Sequence, residues 1–169
     1  NVAFVLSAVA LFRYGSTVLA RPDDPIPEQA AVAAMLYCIN PASVFMSAIY
    51  TESVFSLLSI SGMLLLHKPA AKRWGWRWWA SALLFSGCAA TRSNGVLNCG
   101  YAVFEVLHGP VVAPWVRCGR SHVALSRSGW AQLCGELVRL VSYVSLVVMP
   151  LVLFQRCVLF LTLCPPACY

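Results

Sequence analysis

The sequence is short of charge. Of 169 residues, 11% are Asp, Glu, Lys or Arg and six are acidic, against roughly 25% charged residues in soluble domains. An ordinary water-soluble globule is thereby excluded: 60% of the residues are hydrophobic, and a domain this small leaves too much surface in water to hide them. Histidine is also scarce, and His67, His108 and His122 have no ligand partners at metal spacing, so neither a metal nor another cofactor is assigned. No Asn-X-Ser/Thr acceptor occurs, because Asn40 is followed by Pro41. Internal repeats, low-complexity stretches and a signal-peptide pattern are absent too. The chain begins at Asn1, already inside an apolar run, and so reads as a fragment. Eight cysteines are present, but Cys38, Cys88, Cys99, Cys134 and Cys157 lie in apolar surroundings and read as buried thiols. Cys164 and Cys168 form a lone CPPAC pair, which specifies neither zinc nor redox chemistry.

What the chain has in abundance is apolar runs separated by basic loops. Mean hydropathy is +0.74, and the net charge of +6 comes from 12 Lys plus Arg concentrated between the runs, a topology signal more than a nucleic-acid signal. The expected fold class is an all-α, polytopic transmembrane helical bundle in a single domain over 1–169, with about six membrane segments at 1–20, 29–50, 53–67, 78–92, 95–108 and 136–160. The first is about 30 Å long if helical, just enough to span, with Arg13 snorkelling to an interface. Arg21 to Gln29, RPDDPIPEQ, cannot continue a helix, and Asp23 and Asp24 there read as solvated loop charges. Lys68 to Trp79, KPAAKRWGWRWW, is a basic and aromatic interface belt. The 95–108 segment, about 21 Å if helical, is short or re-entrant and carries Asn98 and Glu105. Gly109 to Leu133 reads as a second basic loop, and Pro150 interrupts the last span. Alternating sides puts the loops near 21–28, 68–77 and 109–135 in the cytosol, with the turns at 51–52 and 93–94 across the membrane.

The run from Tyr37 to Met63, YCINPASVFMSAIYTESVFSLLSISGM, holds the residues that stand out. Asn40-Pro41 breaks its first helix. Glu52 sits at its waist, where a carboxylate held near the centre of a spanning helix costs about 2.5 to 3.5 kcal/mol, so it is expected at a membrane surface facing a protein cavity. Two compatible readings of Glu52 are a first-turn charge on a helix capped by Thr51 and a substrate-facing group. Further on, TRSNG ends the fourth span, with Asn94-Gly95 expected as a left-handed stop. Arg92 falls on the same side as Glu52, opposite the basic belt, and its planar fork suits two phosphate oxygens.

These residues resemble the PIG-V mannosyltransferase family of glycosylphosphatidylinositol (GPI) anchor assembly. The resemblance is carried by VALFR at Val9 to Arg13, CINPASVFMSAIYTESVFSLL at Cys38 to Leu58, TRSNGVLNCGY at Thr91 to Tyr101 and MPLVLFQ at Met149 to Gln155. It implies a multi-pass endoplasmic-reticulum enzyme of the GT-C type, with dolichyl phosphate mannose as donor and a mannosylated GPI lipid as acceptor. The product would carry a second mannose in α-1,6 linkage, formed in the lumen with inversion. On that resemblance Glu52 lines the sugar or acceptor site, Arg92 neutralises phosphate, and Asn40 and Asn94 bond sugar hydroxyls or shape the turns. Membrane lipids and an accessory membrane subunit complete the implied partners. Relatives carry a Trp-Asp motif in a lumenal loop upstream of the matched part, so the catalytic acid is expected before Asn1 and this stretch alone is expected to be inactive. Residues 156–169 depart from the family. The competing readings are a non-catalytic lipid or solute binder, accessory subunit or carrier, since polar groups at broken helices also mark transport sites, and an inactive truncated product.

Overall fold

A computed structural model of the chain describes residues 2–20, 27–41, 51–67, 75–107 and 127–163. Among them are six α-helices, one 3-10 helix and no strand. The helices are α1 (Val2–Leu19), α2 (Glu28–Ile39), α3 (Glu52–His67), α4 (Trp76–Thr91), a 3-10 helix (Ser93–Asn98), α5 (Cys99–Leu107) and α6 (Arg127–Leu163). The fold is all-α, as the composition implies.

Two stretches among the described residues are long and apolar enough to cross a bilayer: Val2–Leu19, and Cys134–Phe160 within α6. Of an 18-residue window in each, 11% is fully buried inside the chain, so most of their side chains keep some exposure. α2, with 12 residues, and α3, with 16, would extend about 18 and 24 Å, short of a hydrocarbon core of about 30 Å. α2 stops at Ile39 and Asn40 turns out of the helix at φ −55°, ψ 133°, because Cδ of Pro41 disfavours the helical region for the residue before it.

The last helix departs from the sequence expectation at its start and at Pro150. α6 begins at Arg127, inside the stretch expected as loop, because the one glycine between Arg127 and Leu133 removes only about 1 kcal/mol of helix propensity. It then runs 37 residues, straight through Pro150. A proline frees one carbonyl a turn earlier, which membrane helices accommodate by local adjustment.

α4 is the hub. Trp78, Ser81, Ala82, Phe85, Cys88 and Ala89 are all buried, a spacing of three and four that keeps them on one helical face. With Cys99, Ala102 and Val106 of α5 and Tyr143 and Val147 of α6 they form the core. α3 packs antiparallel on α4: Cys88 Sγ reaches the Phe55 carbonyl at 3.6 Å, Leu58 lies against Gly87, and Gly62 lies under the Phe85 ring, which a Cβ at Gly62 would overlap. From α6, Tyr143 places its hydroxyl 2.9 Å from Ser81 Oγ and its ring 4.6 Å from that of Trp78. On the far side of α3 lies α1, which holds α2 through Tyr37: its hydroxyl is 2.8 Å from Ser7 Oγ and its ring stacks on Phe4.

The aromatic belt is therefore divided. Trp76 and Trp79 are exposed, but Trp78 is a core residue, 5% exposed, since its position puts it on the buried face of α4. The rest of that belt, 68–74, lies outside the described residues, as do Asp23, Asp24, the loop stretch 108–126 and the CPPAC pair. The cysteines divide as well. Cys88 and Cys99 are buried, whereas Cys38, Cys134 and Cys157 are exposed, because they sit on faces of α2 and α6 that no described part of the chain covers.

Candidate functional site

The antiparallel packing of α3 on α4 brings the start of one to the end of the other. α3 opens with the Phe55 N–H donating to the Thr51 carbonyl at 2.8 Å, which puts Glu52 in the first turn, where the positive end of the helix dipole favours a carboxylate. At the other end α4 stops because Arg92 turns extended at φ −151°, ψ 137°, while its N–H still donates to the Cys88 carbonyl. The guanidinium thus projects over the α3 start, and Arg92 Nη2 donates to Glu52 Oε1 at 2.5 Å. The Arg92 side chain is 48% exposed and that of Glu52 24%.

Gly95 fixes this junction, though not by the left-handed turn the sequence suggested. Its φ is not positive, and the α4 stop is Arg92 itself. What requires glycine is close approach: a Cβ would overlap the Cys88 carbonyl group and stand 2.5 Å from the Ala89 nitrogen. The 3-10 turn can fold onto the last turn of α4 only without a side chain there, and Gly95 N–H then donates to the Arg92 carbonyl at 2.8 Å.

Of the four residues singled out from sequence, the structure joins Glu52 and Arg92 directly. Asn94 is exposed on the 3-10 helix two residues beyond Arg92, and Asn40 is exposed at the end of α2; neither is part of the pair. One half of the pair is left open. Glu52 Oε2 is buried without a hydrogen-bond partner, and one guanidinium N–H of the five is committed to Glu52. An anionic oxygen beside the exposed Arg92 would find a partner already in position, whereas Glu52 Oε2 is enclosed and would have to be uncovered to accept a hydrogen bond from a hydroxyl.

A second polar group, which sequence reasoning missed, lies further along α3. His67, expected to stand alone, has Nδ1 3.6 Å from Glu105 Oε1 and meets the Tyr14 ring edge-on at 5.8 Å between centroids. Half-way along α3, Ser59 Oγ donates to Asn98 Oδ1 at 3.2 Å. The available signal was Asn98 and Glu105 themselves, seven residues apart in an apolar stretch and so on one face. No group of three His, Cys, Asp or Glu among the described residues could hold a metal ion.

Fold and site together define a helical protein with an apolar exterior and a carboxylate–guanidinium pair at the junction of two packed helices. The mannosyltransferase (PIG-V) family matches residues 1–169, and the chain belongs to that family. It is similar to GPI alpha-1,6-mannosyltransferase 2 of Mus musculus, 40% identical over 121 residues covering 68% of this chain and 22% of the relative. The Rattus norvegicus protein of the same name is 36% identical over 151 residues, 89% of this chain and 26% of the relative. In Drosophila melanogaster a GPI mannosyltransferase 2 is 35% identical over 72 residues, 43% of this chain and 15% of the relative. The chain thus spans about a quarter or less of the length of the curated relatives it matches. No solved structure matches it.

Proposed function

We propose that the chain is part of a multi-pass endoplasmic-reticulum mannosyltransferase that adds the second mannose, in α-1,6 linkage, to the GPI anchor precursor. The donor is dolichyl phosphate mannose and the acceptor the mannosylated GPI lipid, both engaged from the lumenal side. Six segments of the chain lie in the membrane, the short ones packed among the long.

The observation that carries this reading is the half-used Glu52–Arg92 pair. An ion pair as exposed as this one contributes about 1 kcal/mol or less to stability, whereas leaving the second Glu52 oxygen buried and unpaired costs about 1–3 kcal/mol. Stability alone therefore does not account for it, and a ligand that completes it does. Sugar transfer from a phosphate needs cationic or dipolar groups where charge develops on the departing phosphate, and a base for the acceptor hydroxyl. Arg92, oriented by Glu52 before substrate arrives, has N–H groups free on its exposed side for an anionic oxygen. Glu52 Oε2, enclosed before substrate arrives, is uncovered on binding and accepts a hydrogen bond from a sugar hydroxyl, which fixes the ring relative to that oxygen. Asn94 and Asn40 bond further hydroxyls or hold the turns beside the cavity. No residue of this chain is assigned as the base.

The test places Glu52→Gln and Arg92→Lys in the full-length protein, expressed in cells that lack the second mannosylation step. Surface GPI-anchored protein and the lipid-linked intermediates are then measured. The expected result is normal protein abundance with transfer reduced roughly 100-fold, the scale of losing one oriented electrostatic contact. Full activity in both variants would reject the assignment.

A further inference from the structure

Below the Glu52–Arg92 pair, polar contacts continue down the stripe where α3 meets α4. Glu52, Phe55 and Ser59 are three and four residues apart and so lie on one face of α3, with Ser59 about 10 Å further along the helix than Glu52. Each contributes one rung. The Glu52 carboxylate takes the Arg92 guanidinium, the Phe55 carbonyl takes the Cys88 thiol at 3.6 Å, and the Ser59 hydroxyl donates to Asn98 Oδ1 at 3.2 Å. Asn98 also ties the rungs together, because its Nδ2 faces the Cys88 thiol. Cys88 in turn sets Arg92: its carbonyl accepts the Arg92 N–H at 2.9 Å and the Thr91 hydroxyl at 2.8 Å, which is where α4 stops.

The lower rungs differ from the upper one in burial. Asn98 and Ser59 are buried and Cys88 is fully so, whereas the Arg92 side of the pair is exposed. An amide is a costly choice for such a place. A thiol is a weak acceptor, and Asn98 Nδ2 makes no hydrogen bond of ordinary geometry, so a leucine of similar size would be the more stabilising residue. What the amide supplies and leucine does not is direction: buried polar contacts single out one arrangement of the elements they join, where apolar packing tolerates several. Here they join α3, α4 and the end of the 3-10 helix, whose relative heights decide where the Arg92 guanidinium stands over the α3 start. We propose that Asn98 is a positioning residue for the Glu52–Arg92 pair, acting through Ser59 on one helix and Cys88 on the other. It keeps the end of α4 in register with the start of α3. The consequence for mannose transfer rests on the function proposed above; the effect on the pair does not.

The experiment reads the pair directly. The full-length protein in nanodiscs is treated with phenylglyoxal, an arginine-selective reagent, and the rate of modification at Arg92 is followed by mass spectrometry, with Arg77 at the other end of α4 as the reference. Asn98→Leu is expected to speed modification of Arg92 several-fold, as Glu52→Gln does, to leave Arg77 unchanged, and to add nothing when combined with Glu52→Gln. Ser59→Ala, a smaller change that serves if Asn98→Leu fails to accumulate, is expected to act in the same direction. An unchanged Arg92 rate in either variant, equal acceleration at Arg77, or effects of Asn98→Leu and Glu52→Gln that multiply overturns the proposal. Transfer is measured on the same samples. Asn98→Leu should lower kcat roughly 10- to 100-fold with KM unchanged, since a misplacement of about 1 Å can cost that much, and should lower it no further in an Arg92→Lys background. A further loss there would show Asn98 acting other than through Arg92 and also overturns the proposal. Full transfer by Arg92→Lys instead rejects the function proposed above, while the modification rates still decide whether Asn98 holds the pair.

Discussion

Two glycines, Gly95 and Gly100, stand five residues apart, and replacing each by alanine has opposite expected results. At Gly95 the added carbon overlaps main-chain atoms of Cys88 and lies 2.5 Å from the Ala89 nitrogen. Backbone cannot swing aside as a side chain does, so the 3-10 turn must lift off α4, an overpacking cost of about 1–3 kcal/mol. At Gly100 the carbon meets nothing within 4 Å, and a helical alanine gains about 0.5–1 kcal/mol over glycine. The two variants should therefore differ by about 1.5 to 4 kcal/mol, which is roughly a 10- to 700-fold difference in the folded-to-unfolded ratio. Thermal aggregation of the full-length protein fused to a fluorescent reporter, measured in detergent alongside steady-state abundance in cells, reads that difference. Gly95→Ala should also lose mannose transfer beyond its loss of abundance, because lifting the turn displaces Arg92 from Glu52. Equal stability of the two variants, or a less stable Gly100→Ala, would refute the reasoning about the junction.

Other substitutions probe the core that holds the site. Gly62→Ala should destabilise by about 1–3 kcal/mol through collision with the buried Phe85 ring, and adding Phe85→Leu should recover part of the loss in the same thermal assay. Ser81 donates to the Trp78 carbonyl at 2.8 Å, which leaves its lone pair to accept from the Tyr143 hydroxyl. Ser81→Ala strands a buried phenol and should cost about 1–3 kcal/mol, whereas Tyr143→Phe removes one bond and should cost about 1 kcal/mol; the reverse order would show that the bond runs the other way.

The helical class and the placing of Glu52 and Arg92 at one face were legible because both rest on coarse signals; that the two side chains pair directly was not. Apolar runs declare helices, and alternating the sides of successive runs puts the start of α3 and the end of α4 at one face. What was not legible depended on which residues face each other. Trp78 reads like its neighbours Trp76 and Trp79, and only the buried face of α4 separates them. Gly95 looks like a turn glycine until the 3-10 helix is seen folded on Cys88. His67 has no partner within its own helix; Glu105 reaches it only because α5 lies beside α3, and nothing local in the sequence announces that contact. The start of α6 at Arg127 was hidden by three arginines and an approach carrying glycine, proline and serine that resembles a loop, although Arg127 to Leu133 holds no helix breaker stronger than glycine.

Reversing the ion pair tests most directly whether Glu52 and Arg92 serve sugar transfer or merely join two helices. In the full-length protein, Glu52→Arg and Arg92→Glu each place like charges where Oε1 and Nη2 now stand 2.5 Å apart, and each should lower abundance; the double exchange restores opposite charges and should return abundance to normal. Second-mannose addition, measured in the same cells, is predicted to stay lost in the double variant, because the cation then sits where a hydroxyl acceptor is needed. Recovery of transfer together with abundance would contradict the account and leave the pair as a strut between α3 and α4.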